Sequence, residues 1–137
     1  MNKKIRIALL GGTFDPVHNG HLHVARHLRK KLGFDEVHLV TAYKPPHKQS
    51  NVSDAGIRHE MVTLACQGEE NVGIVASSLE IDNHYSFTIE TVRHMLAHPE
   101  EFGAAAGDSL EISFITSAEY MDPDYAHNIL HWKEAEE

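Results

Sequence analysis

The 137-residue chain carries 12 lysines and arginines against 20 aspartates and glutamates, a net charge of −8, with 42% hydrophobic and 7% aromatic residues. That length suits one domain with a real core and is too short for two ordinary ones, so residues 1–137 are expected to form a single domain. The acidic balance argues against a nucleic acid or an anionic membrane as partner, because phosphate backbones are bound through basic excess. It leaves room for a small anion in a locally positive pocket. No apolar run approaches the roughly 20 residues of a membrane span. The basic start at residues 1–4 leads into a strand interrupted by Arg6, unlike the longer apolar region of a signal peptide. A single cysteine, Cys66, admits no internal disulfide and points to a reducing, cytoplasmic location.

Residues 5–10 are expected to form a strand, and residues 19–32 a helix with Leu22, Ala25, Leu28 and Leu32 at helical spacing. Gly33 supplies its stop. A second strand covers 37–40, and residues 43–53, with Pro45-Pro46, form a loop. A helix over about 54–67, capped by Asp54, is expected to turn Ile57, Met61, Leu64 and Ala65 inward. A third strand follows at 72–75. Ser86 can cap a helix from about 87 to 98 with Ile89, Val92 and Leu96 inward, and Pro99 lies just beyond it. Residues 99–110 read as a surface connection, 112–115 as a fourth strand, and 121–137 as partly helical around Ile129, Leu130 and Trp132. Strand and helix alternating at this spacing imply right-handed βαβ units, hence an α/β fold: a doubly wound parallel sheet with helices on both faces.

In such sheets ligands bind beyond the carboxyl ends of the strands. One stretch stands there, Gly11-Gly12-Thr13-Phe14-Asp15-Pro16-Val17-His18-Asn19-Gly20-His21. Glycines at a strand end allow backbone to approach a ligand closely. Amides there, with the following helix N-terminus, form an anion site. His18 and His21 lie about one turn apart at the helix start, where imidazoles can donate to phosphate oxygens. A plain tight turn, two exposed histidines or a chance metal site would each explain one piece. The combination at a strand-to-helix junction favours phosphate binding. The remaining helical histidines, His23, His27, His94 and His98, read as surface or boundary residues.

The segment "GGTFDPVHNGHL" resembles the signature of the adenylyltransferase and cytidylyltransferase superfamily, a strand followed by G-[TS]-F and then [HT]-x-G-H. Three more segments, "KPPHK" at 44–48, "RHEMVTLA" at 58–65 and "YSFTIETV" at 85–92, resemble bacterial nicotinate-nucleotide adenylyltransferase in order and spacing. The resemblance implies a Rossmann-like domain that transfers an adenylyl group from ATP to nicotinate mononucleotide, with Mg²⁺ accompanying ATP. It places His18 and His21 on the ATP phosphates as the catalytic pair, and Gly11, Gly12, Thr13 and Phe14 on substrate phosphate. Lys44, His47, Lys48 and Arg58 become a positive rim, Thr88 meets the nicotinate carboxylate through its amide, and Trp132 stacks on the pyridine ring. The runner-up enzyme is pantetheine-phosphate adenylyltransferase, which usually carries T-x-G-H and lacks the "YSFTIETV" block. A non-catalytic nucleotide-binding module is the alternative from another class.

Two departures stand out. Where the family ends its fourth strand in G-x-D, this chain has Ser117 and Glu119. The chain also ends at Glu137, before the S-x-x-x-R-like element that in the family binds ATP. The domain is therefore expected to be incomplete at its C-terminus, to bind mononucleotide better than ATP, and either to self-associate through an uncovered apolar strip along the last strand and the Ile129-Leu130-Trp132 helix or to be only marginally stable. "GDSL" at 107–110 precedes a strand instead of following one, and "NVS" at Asn51 is a glycosylation acceptor only in a secreted protein. His18-x-x-His21-x-His23 lacks partners at a zincin spacing.

Overall fold

The computed structural model describes residues 3–43, 53–85 and 88–115. Its elements are β1 (Lys4–Gly12), α1 (Asn19–Lys31), β2 (Glu36–Thr41), α2 (Ala55–Ala65), β3 (Ile74–Ser77), α3 (Leu79–Asn83), α4 (Thr88–Ala97) and β4 (Ser109–Ile115). Short 3₁₀ turns occupy Glu70–Val72 and Pro99–Phe102. The strands pair in parallel in the order β3-β2-β1-β4, so β1 lies inside the sheet. Its last residues, Gly11 and Gly12, stand beside Val40 and Thr41 of β2.

Side-chain alternation along the strands divides the core into two layers. Ala8, Val37, Leu39 and Ile74 pack with Leu22, Ala25 and Leu28 of α1 and with Val62 and Cys66 of the α2 region. On the other face Ile7, Leu9 and Val40 meet Met95 and Val92 of α4, Leu79 of α3 and Phe102. Helices thus cover both faces, and the doubly wound parallel architecture expected from the alternation is the one observed. No helix among the described residues is long and apolar enough to cross a membrane.

Several local expectations are corrected. The inward face of α2 is Arg58 and Val62, continued by Cys66, while Ile57 and Leu64 are more than half exposed. Leu32 and Leu96 are likewise exposed, and Thr91 and Met95 take the buried positions on α4. The third strand starts two residues later than expected. Gly73 has φ +86°, and a Cβ there would stand 2.6 Å from the Asp35 carbonyl, so this glycine makes the turn that precedes β3. The α3 turn and the start of β4 at Ser109 were not in the sequence reading.

Candidate phosphate-binding turn

β1 delivers the chain to the carboxyl edge of the sheet, and the next six residues fold into a tight turn before α1. Gly11 and Gly12 remain in extended β1 with no positive φ. Their value is therefore not conformational freedom. A Cβ on Gly12 would come within 3.1 Å of the Phe14 ring, whereas one on Gly11 would make ordinary contact with Phe114 at 3.7 Å. Gly12 leaves room for Phe14, which is buried and adopts a left-handed backbone, φ 54°. Such a conformation is costly for a bulky residue, and burial of the ring holds it in place. The turn closes through a cis Asp15-Pro16 bond.

Helix α1 is capped by histidine. His18 is its N-cap, and His18 Nδ1 accepts the Gly20 N–H at 3.1 Å. His21 reaches back so that its Nδ1 accepts the His18 N–H at 3.0 Å. This is the reciprocal arrangement of a capping box, built from two imidazoles instead of Ser and Glu. The rings stack with centroids 3.8 Å apart, and Phe14 meets His21 edge-on at 4.8 Å.

The bonding fixes the chemistry of both rings. An Nδ1 that accepts a backbone N–H carries no proton, so each neutral imidazole holds its proton on Nε2. Burial lowers the His21 pKa below its ordinary value, and the neighbouring His18 lowers it further. His21 therefore enters neutral solution as an Nε2–H donor. Two such donors stand at the first turn of a helix, whose N-terminus already favours an anion. Gly20 belongs to the same device, because a Cβ there would lie 2.9 Å from the Nδ1 and Cε1 of His18. The spacing H-x-G-H is a packing requirement as well as a pair of donors.

Arg58 does not line this turn as an exposed cation. It is 1% exposed, and its guanidinium donates to four backbone carbonyls: Ser53 at 2.7 Å, Thr13 at 2.9 Å, Ala42 at 2.8 Å and Tyr43 at 3.2 Å. Burial lowers its pKa, and the nearby carboxylates of Asp15 and Asp54 oppose that effect. A guanidinium with its fork committed to carbonyls has little left for phosphate, so the expected rim position is corrected to an internal clamp. Asp15 works with it, its Oδ2 accepting the Ser53 N–H at 2.8 Å.

Thr88 opens α4, half-buried. His84, which follows α3, lies at the same carboxyl edge, because its ring stacks on Tyr43, two residues past the end of β2, at 4.6 Å and 10°. Nearby, the Glu80 carboxylate of α3 accepts from the Thr91 hydroxyl of α4 at 2.7 Å. Burial pushes the Glu80 pKa up to about 7 against the pull of that hydrogen bond, and Glu90 adds to the rise. Neither Glu80 nor Gly20 figured among the sequence candidates. Lys44, His47, Lys48, Ser117, Glu119 and Trp132 fall outside the described residues.

Comparison with known proteins bears on the fold and the family. A probable nicotinate-nucleotide adenylyltransferase of Thermoanaerobacter sp. (strain X514) is 37% identical over 139 residues, covering 100% of this chain and 59% of the relative. Its counterpart in Clostridium novyi (strain NT) is 42% identical over 96 residues, 69% of this chain and 46% of the relative. The chain thus spans about half the length of the curated relatives it matches. In structure it resembles a Plasmodium falciparum nicotinic acid mononucleotide adenylyltransferase complexed with APC, with a TM-score of 0.61 and 18% identity over 85% of this chain and 52% of that one. The same enzyme complexed with NaAD gives 0.56 and 17%, over 91% and 71%. At such identities the likeness establishes the fold. The match to a family description runs over residues 9–129, from inside β1 through the histidine-capped turn and past β4, and the chain belongs to the cytidylyltransferase-like family.

Proposed function

We propose that the chain transfers the adenylyl group of ATP to the phosphate of nicotinate mononucleotide, yielding deamido-NAD and pyrophosphate, as a cytoplasmic enzyme of NAD synthesis. The observation that carries the reading is the histidine-capped turn. Two imidazoles with Nδ1 occupied by backbone aim their Nε2–H groups from the start of α1. The names of the similar proteins support the acceptor.

A phosphate oxygen of the mononucleotide attacks the α-phosphorus of ATP. The bond from that phosphorus to its bridging oxygen breaks, and pyrophosphate leaves with the electron pair. The nucleophile is already anionic, so the protein needs no strong base; it aligns two anions and neutralises the charge gathering between them. His18 and His21 donate to the ATP phosphates, and the backbone of Gly11, Gly12, Thr13 and Phe14 holds substrate phosphate. Mg²⁺ enters with ATP as part of the substrate, held by phosphates and water. Lys44, His47 and Lys48 add positive charge, Thr88 meets the nicotinate carboxylate through its amide, and Trp132 stacks on the pyridine ring.

Incubation with MgATP and nicotinate mononucleotide, its amide or phosphopantetheine, followed by chromatography of the products, tests the reading. Deamido-NAD is the expected product, and His18→Ala should slow its formation by about 10²–10³-fold, the scale of losing one transition-state donor. Turnover with phosphopantetheine alone would reassign the substrate. Binding of nucleotide with no turnover of any acceptor would make this a binding module.

A further inference from the structure

A second group of histidines lies away from the turn, where α4 ends. His94 lies on α4, His98 is the residue after it, and Glu101 stands in the 3₁₀ turn that leads toward β4. One ligand atom from each lies within 4.8 Å of those of the other two. His94 Nε2 and Glu101 Oε1 are already 3.4 Å apart, and the His94 and His98 ring centroids are separated by 4.6 Å.

The outer partners of these rings are also in place. His98 Nδ1 lies 3.0 Å from the His94 carbonyl. A carbonyl can only accept, so that Nδ1 carries the proton and the lone pair of the neutral ring is on Nε2. His94 Nδ1 lies 3.0 Å from the Tyr85 hydroxyl. That hydroxyl can donate or accept, so the His94 ring can move its proton to Nδ1 and free its Nε2 without losing a partner. Metal-bound imidazoles are oriented by an oxygen on their other nitrogen in this manner. A cleft of about 430 Å³ opens beside Glu101, and Glu36 and Asp82 also line it, so the local field favours a cation.

We propose that His94, His98 and Glu101 bind a Zn²⁺-class divalent metal through two imidazole Nε2 atoms and one carboxylate, with water in the fourth position. The donor set is the mixed nitrogen and oxygen set that zinc accepts, in tetrahedral geometry. Donor atoms around such an ion stand roughly 3.3 Å apart. The group must therefore contract by an ångström or more, and the exposed side chains of His98 and Glu101 are free to supply the movement. The bound ion would clip the end of α4 to the turn that precedes β4. Its role is separate from phosphate binding, because none of these residues touches the histidine-capped turn.

Calorimetric titration of the metal-free full chain with Zn²⁺, accompanied by thermal melts, decides the matter. One ion per chain and a melting temperature raised by about 5 °C are expected at saturating metal. His98→Ala and Glu101→Gln should each weaken binding at least tenfold. Tyr85→Phe, which removes only the outer partner, should cost about 10-fold. A His18→Ala/His21→Ala double variant should bind as the parent does. Absence of stoichiometric binding, unchanged affinity in His98→Ala and Glu101→Gln, or loss of binding in the His18/His21 double variant would overturn the proposal. Circular dichroism of each variant separates lost ligation from lost fold.

Discussion

Gly20→Ala separates the two uses of the glycine in the histidine-capped turn. The added methyl would stand 2.9 Å from two atoms of the His18 ring, closer than real Cβ contacts allow. The ring is the end of a side chain and can rotate away, but it then surrenders the hydrogen bond from the Gly20 N–H. Losing an N-cap costs about 1 kcal/mol. Replacing glycine by alanine within a helix returns about 0.5–1 kcal/mol. The two nearly cancel, so stability should change by less than about 1 kcal/mol, or less than about 5 °C in melting temperature for a chain of this size. Function should not cancel, because the displaced imidazole no longer aims its Nε2–H at a phosphate. A fall in turnover of about 10²-fold is expected. Melting by circular dichroism gives the first quantity and pyrophosphate release the second. Long-range ¹H–¹⁵N spectra of the histidines give a readout independent of turnover: the Nε2–H tautomer of His18 should lose its uniqueness in the variant. Unchanged histidine spectra together with turnover within twofold of the parent would refute the steric argument. So would a drop in melting temperature above about 10 °C, since the cancellation would then be wrong.

Arg58→Met should keep much of the apolar stem but strand the carbonyls of Ser53, Thr13, Ala42 and Tyr43. We expect a loss of about 3–5 kcal/mol in denaturant unfolding, with Arg58→Lys little better because one ammonium cannot span them; a loss under about 1 kcal/mol would show that the clamp is idle. Glu80 binds its proton more tightly folded, near pH 7, than unfolded, near 4.5. Its contribution to stability is therefore full below about 4.5 and declines as pH rises through 7, by up to about 3 kcal/mol. Glu80→Gln should flatten that decline and melt higher than the parent at pH 8, while matching it at pH 5; parallel pH profiles for the two proteins would exclude Glu80 as its source.

Leu22, Ala25 and Leu28 on the buried face of α1, the parallel sheet covered on both faces and the strand-to-helix turn after β1 were legible in the sequence, because each follows from local pattern. The inner face of α2 was not. Hydrophobic spacing pointed to Ile57, Met61 and Leu64, yet Arg58 takes the buried position, because four carbonyls from three separate segments satisfy its guanidinium. No single-helix pattern contains those partners. The start of β3 slipped for a similar reason: Gly73 reads as a weak strand residue until the Asp35 carbonyl beside it reveals a turn. In the H-x-G-H signature the residue types were visible, but the assignment of each Nδ1 to a backbone N–H required the geometry.

The Arg58 clamp also bears on how such a domain can diversify. Its Nη2 holds the carbonyl of Tyr43, its Nε holds that of Ser53, and Asp15 fixes Ser53 from the other side. Tyr43 and Ser53 are thus fastened to one planar group, which also grips Thr13 in the histidine-capped turn. Joining two fixed anchor points costs closure entropy that grows slowly with the number of residues between them. A change of length between the two anchors therefore leaves the Arg58 hydrogen bonds to Tyr43, Ser53 and Thr13 standing.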